Sequence, residues 1–247
     1  MNLSIVIPCY NEERNIRAGA LEKVTDYLKY QSFSWEVLIV DDGSTDQSSL
    51  IVQKFIQKHP GFSLIKNPHQ GKAATVITGM LKAKGDYILF CDLDQATPIT
   101  ELEKFLPWTQ KEVDVIIGSR KTVRQGAPFS RILMARGFIF LRTMILGLGS
   151  ITDTQCGFKV FKKEAAAALF NKLRLFKEMR KVDGSMVTAG FDTEILYLAK
   201  KLKFQIKEIP VNWHYVETRR VNPLKDSWYG FWDLVKISIN NLRGLYD

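Results

Sequence analysis

The feature that most constrains this chain is an alternation repeated through its first half. Short runs of Val, Ile and Leu, continuous instead of alternating with polar residues, are separated by longer stretches of helical spacing. Residues 3–7, 35–40, 62–65, 87–91 and 113–117 read as strands, and 13–29, 47–58, 72–84 and 100–110 as helices. A strand that is apolar on both faces must be covered on both. The pattern therefore predicts an α/β fold, a doubly wound, Rossmann-like, mostly parallel sheet with helices on both faces. Beyond residue 118 the regularity weakens, through helical 131–148, strand-like 157–161, helical 163–173 and 193–202, a strand at 204–213 and a last helix from about 227 to 242. With no internal repeat or low-complexity linker, one domain with a basic C-terminal extension is the simplest organisation.

Ligands of such sheets bind at the carboxyl ends of the strands, and here those ends are acidic. The first strand runs into P-C-Y-N-E (8–12), the second into D-D-G-S-T-D (41–46) and the fourth into D-L-D (92–94). Asp41, Asp42, Asp92 and Asp94 would crowd carboxylates into one crevice, which is costly unless a cation or hydrogen-bond donors compensate. A divalent metal, Mg or Mn, is the natural compensation, since two carboxylates one residue apart can hold it together with diphosphate oxygens. Taken alone, D-G-S-T-D is an equally good turn with Ser44, Thr45 or Asp46 capping the next helix, and Asp94 would serve to open a loop before Pro98. Tyr10 reads either as a surface aromatic or as a residue flanking a planar base. The co-occurrence of three such strand ends is what points to a site.

Charge is divided along the chain. The whole carries 35 Lys+Arg against 26 Asp+Glu, net +9, but residues 1–110 hold 11 basic and 13 acidic side chains while 111–247 hold 24 and 13. The second half is thus the part that faces an anion. Nucleic acid is a poor candidate, because no zinc finger, RNA-binding signature or basic repeat appears and the acidic crevice would repel a polyanion. A dehydrogenase is excluded by the lack of G-x-G-x-x-G after the first strand. Three widely spaced cysteines, Cys9, Cys91 and Cys156, make neither a disulfide framework nor a zinc site and fit a reducing compartment. No secretory signal is evident at the start. The most apolar stretch, 137–151, is interrupted by Arg142 and falls short of the ~20 residues a spanning helix needs.

These motifs, with G-S-R (118–120), D-T-Q-C-G-F-K (153–159) and F-D-T-E-I-L (191–196), resemble the family 2 glycosyltransferases of GT-A fold. Within them the likeness is to polyprenyl-phosphate sugar synthases, and more to the dolichyl-phosphate β-glucosyltransferase branch than to the mannose synthase branch. The resemblance implies a catalytic domain over 1–225, with a nucleotide-sugar-binding half at 1–118 and an acceptor-binding half at 119–225, followed by an amphipathic helix at 226–247. It implies that Pro8, Tyr10 and Glu12 line the nucleotide, that Asp41 or Asp42 accepts the base N–H, Asp42 being preferred, and that Asp92 and Asp94 hold the metal, Asp94 more directly. Leu93 stands where the family often has Ala. Lys72, at a helix start after Gly71, is suited to a phosphate, although a solvated surface lysine is the commoner reading. Arg220 falls where the family tends to carry a G-S-K loop over the diphosphate, and T-R-R departs from that.

The acceptor half follows from charge. A sugar hydroxyl needs a positioned base, whereas a lipid phosphate, whose second pKa is about 6, is already anionic and needs cations to hold it. Arg120, Arg131 and Arg136 match family positions that grip such a phosphate, a task the guanidinium fork suits; a solvated helix face is as ordinary a reading for the last two. Asp153 and Asp192 match carboxylates near the reaction centre, with Asp192 the base if the acceptor is instead a hydroxyl of a glycan. The expected reaction is inverting transfer of a sugar, glucose preferred, from a nucleotide sugar, UDP preferred, to a polyprenyl or dolichyl phosphate. In the last helix Trp228, Phe231, Trp232, Val235, Ile239 and Leu242 form one apolar stripe beside Lys236 and Arg243, suited either to a core or to a membrane interface. Together with the apolar helix 131–148 it leads to an expected cytoplasmic location, peripheral on a membrane surface.

Overall fold

A computed structural model of the chain describes residues 1–120, 129–176, 189–214 and 223–247, with side chains throughout except at 129–136, 189 and 223–227. Among the described residues its sheet has seven strands: β1 (Asn2–Cys9), β2 (Ser34–Asp41), β3 (Phe62–Lys66), β4 (Tyr87–Cys91), β5 (Val115–Ser119), β6 (Phe158–Lys162) and β7 (Ile206–Pro210). They lie in the order β3-β2-β1-β4-β6-β5-β7. All pairings are parallel except those of β6, which runs antiparallel to both β4 and β5. That one reversal matters for the site. An antiparallel strand begins at the edge where its parallel neighbours end, and Phe158 at the start of β6 pairs with Cys91 at the end of β4. The 153–157 segment therefore reaches the same edge as the acidic strand ends.

The helices are α1 (Glu13–Arg17), α2 (Ala20–Leu28), α3 (Ser48–Ile56), α4 (Lys72–Lys82), α5 (Leu106–Gln110), α6 (Phe129–Leu146), α7 (Lys163–Lys172), α8 (Ala189–Lys201) and α9 (Pro223–Leu242), with a 3-10 helix at Ile99–Lys104. Two expected helices are broken. The stretch 13–29 divides because Gly19 takes a left-handed φ of 85°, which costs glycine little and ends the first helix. The stretch 100–110 divides because Pro107 lacks an N–H and is tolerated only in a first turn, so α5 starts afresh after the 3-10 segment. The final strand is shorter than the expected 204–213.

The continuous apolar strands have the expected cause. Along β1, Val6 packs into one core layer while Leu3, Ile5 and Ile7 pack into the other. The first layer is closed by α4, α7, α8 and α9, through Val76, Met80, Leu169, Leu196 and Leu234; the second by α2, α3 and the 3-10 segment, through Leu21, Val24, Val52, Ile99 and Leu102. Each large aliphatic so buried stabilises the fold by ~1.5–3 kcal/mol.

The last helix divides its stripe, with Phe231 and Val235 half-buried. Leu234 and Ile237 turn into the core, whereas Trp228 (61% exposed), Trp232, Ile239 and Leu242 (82%) face outward. On the adjoining α6, Phe140 (64%) and Met144 (70%) are likewise exposed. Arg142, expected only to interrupt that apolar stretch, is buried at 1% exposure. Among the described residues no helix is long and apolar enough to cross a membrane.

Candidate active site

The first two motifs lock onto each other. Asn11, at a left-handed φ of 52° that Asn tolerates, accepts the backbone N–H of Thr45 through Oδ1 at 2.8 Å. In return Ser44 Oγ accepts the Asn11 N–H at 3.0 Å while donating to Asp41 Oδ1 at 2.5 Å, and Ser48 Oγ accepts the Glu12 N–H at 2.7 Å. Ser44 and Thr45 are thus spent on the P-C-Y-N-E loop, whereas Asp46 serves both neighbours, accepting the Glu13 N–H at 3.2 Å and, at 2.9 Å, the N–H of Ser48 that opens α3. Asp41 and Asp42 are both buried. The Asp42 carboxylate accepts the backbone N–H groups of Gln70 and Gly71, at 2.9 and 2.8 Å, and His69 Nδ1 at 2.9 Å. His69 in turn lies flat on the Tyr10 ring, centroids 4.1 Å apart at an interplanar angle of 9°. Sequence reasoning missed His69; its only signal was a histidine shortly before Gly71, which gives no hint of Asp42.

Beside this ledge one lysine meets a D-L-D carboxylate and a second meets Asp192. Lys72 at the start of α4 pairs with Asp92 Oδ1, which argues against the solvated-lysine reading. Burial opposes its charge, but Asp92, with Asp192 and Asp94 adding to the field, raises the Lys72 pKa above the usual lysine value. Lys159 on β6 is fully buried and donates to Asp192 Oδ1 and to the Cys156 carbonyl, both at 2.5 Å. Each ammonium lies 5.5 Å from the centroid of the Phe90 ring, a shared cation–π platform. Lys159 had no role assigned from sequence, although a charge inside the apolar run F-K-V-F was the available signal. Gly157 leaves room for the Asp92 carboxylate: a Cβ there would lie 2.1 Å from Asp92 Oδ2, so the carboxylate would have to move. Asp94 Oδ1 accepts the Ala96 N–H at 3.0 Å, which bends the chain after β4.

On the far side of β6, Arg120 grips Asp153 with a fork of two hydrogen bonds, Nε to Oδ2 at 2.7 Å and Nη2 to Oδ1 at 2.8 Å, and its backbone N–H adds a third at 3.0 Å. Burial alone would push the Asp153 carboxyl up; Arg120 prevails and holds it at about 2. Burial likewise works against the Arg120 charge, and Asp153 with the nearby Asp192 raises its pKa above the usual arginine value. The edge thus carries Asp92, Asp94, Lys72, Lys159, Asp192, Asp153 and Arg120 as one electrostatically linked row. The side chains of Arg131 and Arg136, on α6, and all of Arg220 lie outside the described residues. Pro8 closes β1 opposite Val40, and Glu12 accepts Asn15 Nδ2 at 2.5 Å, both at the first motif.

Among the described residues no three His, Cys, Asp or Glu side chains gather as a ready-made metal cage. Asp92 and Asp94 offer hard oxygen donors from two residues at most, the set that suits Mg or Mn when a bound diphosphate and water complete the shell.

Residues 4–170 match the model described as "Glycosyl transferase family 2". The chain belongs to this family. The family 2 chain is 33% identical over 267 aligned residues to the dolichyl-phosphate beta-glucosyltransferase of Homo sapiens, covering 99% of this chain and 77% of that one. It is 34% identical to the protein of the same name from Saccharomyces cerevisiae, covering 99% and 76%. Among solved structures, mannosyl-3-phosphoglycerate synthase from Rubrobacter xylanophilus superposes with a TM-score of 0.66 at 17% identity, over 99% of this chain and 74% of that one. Glucosyl-3-phosphoglycerate synthase from Mycobacterium tuberculosis in complex with UDP gives 0.64 at 16%, over 96% and 80%. These structural likenesses bear on the fold, which is that of the GT-A glycosyltransferases.

Proposed function

We propose that this family 2 glycosyltransferase moves glucose from UDP-glucose to the phosphate of a polyprenyl or dolichyl lipid, giving a β-linked lipid-phosphate sugar. The observation that carries the reading is the charge order along one sheet edge, from the Asp92 and Asp94 carboxylates through Lys72 and Asp192 to the Arg120 guanidinium. An anionic donor that brings its own metal suits the first end; an anionic acceptor suits the second. The names of the relatives at 33–34% identity over 99% of the chain support glucose and the dolichyl acceptor.

In this reading 1–118 hold the donor, 119–225 the acceptor and 226–247 the membrane-facing helix. The base lies against the Tyr10–His69 ledge beside Pro8 and Glu12, with Asp42 orienting His69 and Asp41 held by Ser44. Asp92 and Asp94 hold the divalent cation, Mg or Mn, which when bound supplies Lewis-acid neutralisation of the leaving diphosphate. Lys72 adds a second positive charge at the N-terminus of α4, and Arg220 would close over the diphosphate. Arg120, with Arg131 and Arg136, holds the acceptor phosphate. Its oxygen attacks the anomeric carbon without first losing a proton, because a phosphate monoester is already anionic at neutral pH. In-line displacement turns an α-linked donor into a β-linked product. Asp192, paired with the buried Lys159, then orients charge and removes no proton. The outward apolar side chains of α6 and α9 support peripheral attachment to a membrane surface, which this reading places on the cytoplasmic face.

The test is a donor panel with a short polyprenyl phosphate and Mn or Mg. UDP-glucose should be turned over, and EDTA or Asp94→Asn should abolish transfer. Turnover that persists without metal contradicts the reading.

A further inference from the structure

Arg142 is the largest fully buried side chain among the described residues, and the reading above gives it no task. Among the described residues its guanidinium makes no hydrogen bond to a carboxylate. Nη1 donates to Thr154 Oγ1 at 2.9 Å and Nη2 donates to the Ile151 carbonyl; Nε is buried with no partner among the described residues. Burial lowers its pKa, against the opposing pull of Asp153 and Glu208. Burying a guanidinium is expensive, and a Leu or Met would fill the same volume without the penalty. Both of its hydrogen bonds fall on the short segment that carries Asp153, one on each side of that residue.

A second residue holds the same segment from another element. Glu208 on β7 accepts the Thr152 N–H at 3.1 Å, the Thr152 hydroxyl at 2.5 Å and the Asp153 N–H at 2.9 Å. So a cation from α6 takes the acceptor groups of residues 151 and 154, and an anion from β7 takes the donor groups of 152 and 153. Opposite charges on opposite groups fix both the position and the tilt of Asp153. Asp153 in turn fixes the Arg120 fork through both of its carboxylate oxygens.

We propose that Arg142 and Glu208 form a clamp on residues 151–154 that sets the Asp153–Arg120 pair in place to receive the anionic acceptor. Both are positioning residues, acting through Asp153. The inference rests on the assignment of Arg120 to the acceptor phosphate. Arg142 also joins that pair to α6, the helix whose Phe140 and Met144 face outward, so the helix expected to rest on the lipid surface and the group expected to take the lipid phosphate share one rigid connection.

The test is steady-state kinetics with UDP-glucose and a short polyprenyl phosphate in detergent for Arg142→Met, Arg142→Lys, Glu208→Gln and Arg120→Met. The clamp predicts that Arg142→Met and Glu208→Gln raise the acceptor KM about tenfold or more and leave the donor KM unchanged, with Arg142→Lys between wild type and Arg142→Met. Combined with Arg120→Met, neither should raise the acceptor KM further, since coupled residues are not additive. A merely structural role would move both KM values together and add on every background, and that result overturns the clamp. If Arg142→Met does not fold, Glu208→Gln, half-buried on the other side of the segment, carries the test alone; an unchanged acceptor KM there also overturns it. Should Arg120→Met itself leave the acceptor KM unchanged, the assignment of Arg120 fails and the clamp with it. A raised KM in Arg120→Met alone removes the clamp and leaves the assignment standing.

Discussion

Replacing Asp153 by Asn keeps the shape of the side chain and removes its charge, leaving the Arg120 guanidinium, itself largely buried, without an anion. The magnitude follows from the carboxyl's displacement. In the folded protein it titrates at about 2 against an ordinary 3.8, roughly two units, which corresponds to about 2–3 kcal/mol of stability at neutral pH. For a chain of this size that amounts to about 4–10 °C in Tm. The sign follows from proton binding. Between the two pKa values the unfolded chain binds more protons than the folded one, so the pair's contribution is complete above about pH 5 and is lost as pH falls through 3.8 toward 2. Urea unfolding followed by circular dichroism, for wild type and Asp153→Asn at several pH values between 7 and 3, measures it. The gap between the two proteins should be widest at pH 7 and narrow as the solution is acidified below 4. A gap under about 0.5 kcal/mol at pH 7, the size expected of an exposed pair, or one that does not change with pH, would refute the reasoning.

Three further outcomes are expected. Gly157→Ala should displace the Asp92 carboxylate, because its Cβ would fall 2.1 Å from Oδ2; Mn binding measured by electron paramagnetic resonance should weaken by about tenfold or more while the circular dichroism spectrum is retained. Lys72→Met should remove the cation beside Asp92 and weaken UDP binding in calorimetry with metal present; unchanged affinity would return Lys72 to the role of a structural ion pair. Trp228→Ala with Trp232→Ala, both outward on α9, should reduce flotation with anionic liposomes, and unchanged flotation would argue against an interfacial helix.

What the residues alone disclosed was the sheet and its acidic edge. Periodicity revealed the strands because two-sided burial forces continuous Val, Ile and Leu, as in β1 and β4. It did not reveal the direction of β6, since strand polarity depends on the path through α6 and not on any local pattern. For the same reason D-T-Q-C-G looked remote from D-L-D in sequence and lies at the same edge in space. Lys72 and Lys159 illustrate a second limit. Most lysines are solvated, and only the packing of Phe90, Asp92 and Asp192 around these two distinguishes them. The stripe on α9 was visible, but which side of the helix the core would take was decided by Leu234 and Ile237. Arg142 reads in sequence as a break in an apolar run, and its partners, a carbonyl and a hydroxyl nine and twelve residues on, exist only in the folded loop.

The central claim is that the acceptor is a lipid phosphate held by the basic half of the site. The most direct measurement follows glucose label from UDP-glucose in the presence of metal, offering in parallel a short polyprenyl phosphate and the matching polyprenol that lacks the phosphate. Label should pass into an organic-extractable, mild-acid-labile product with the phosphate acceptor and not with the alcohol. Label that reaches the alcohol equally well, or that stays in water-soluble glycan, would contradict the account.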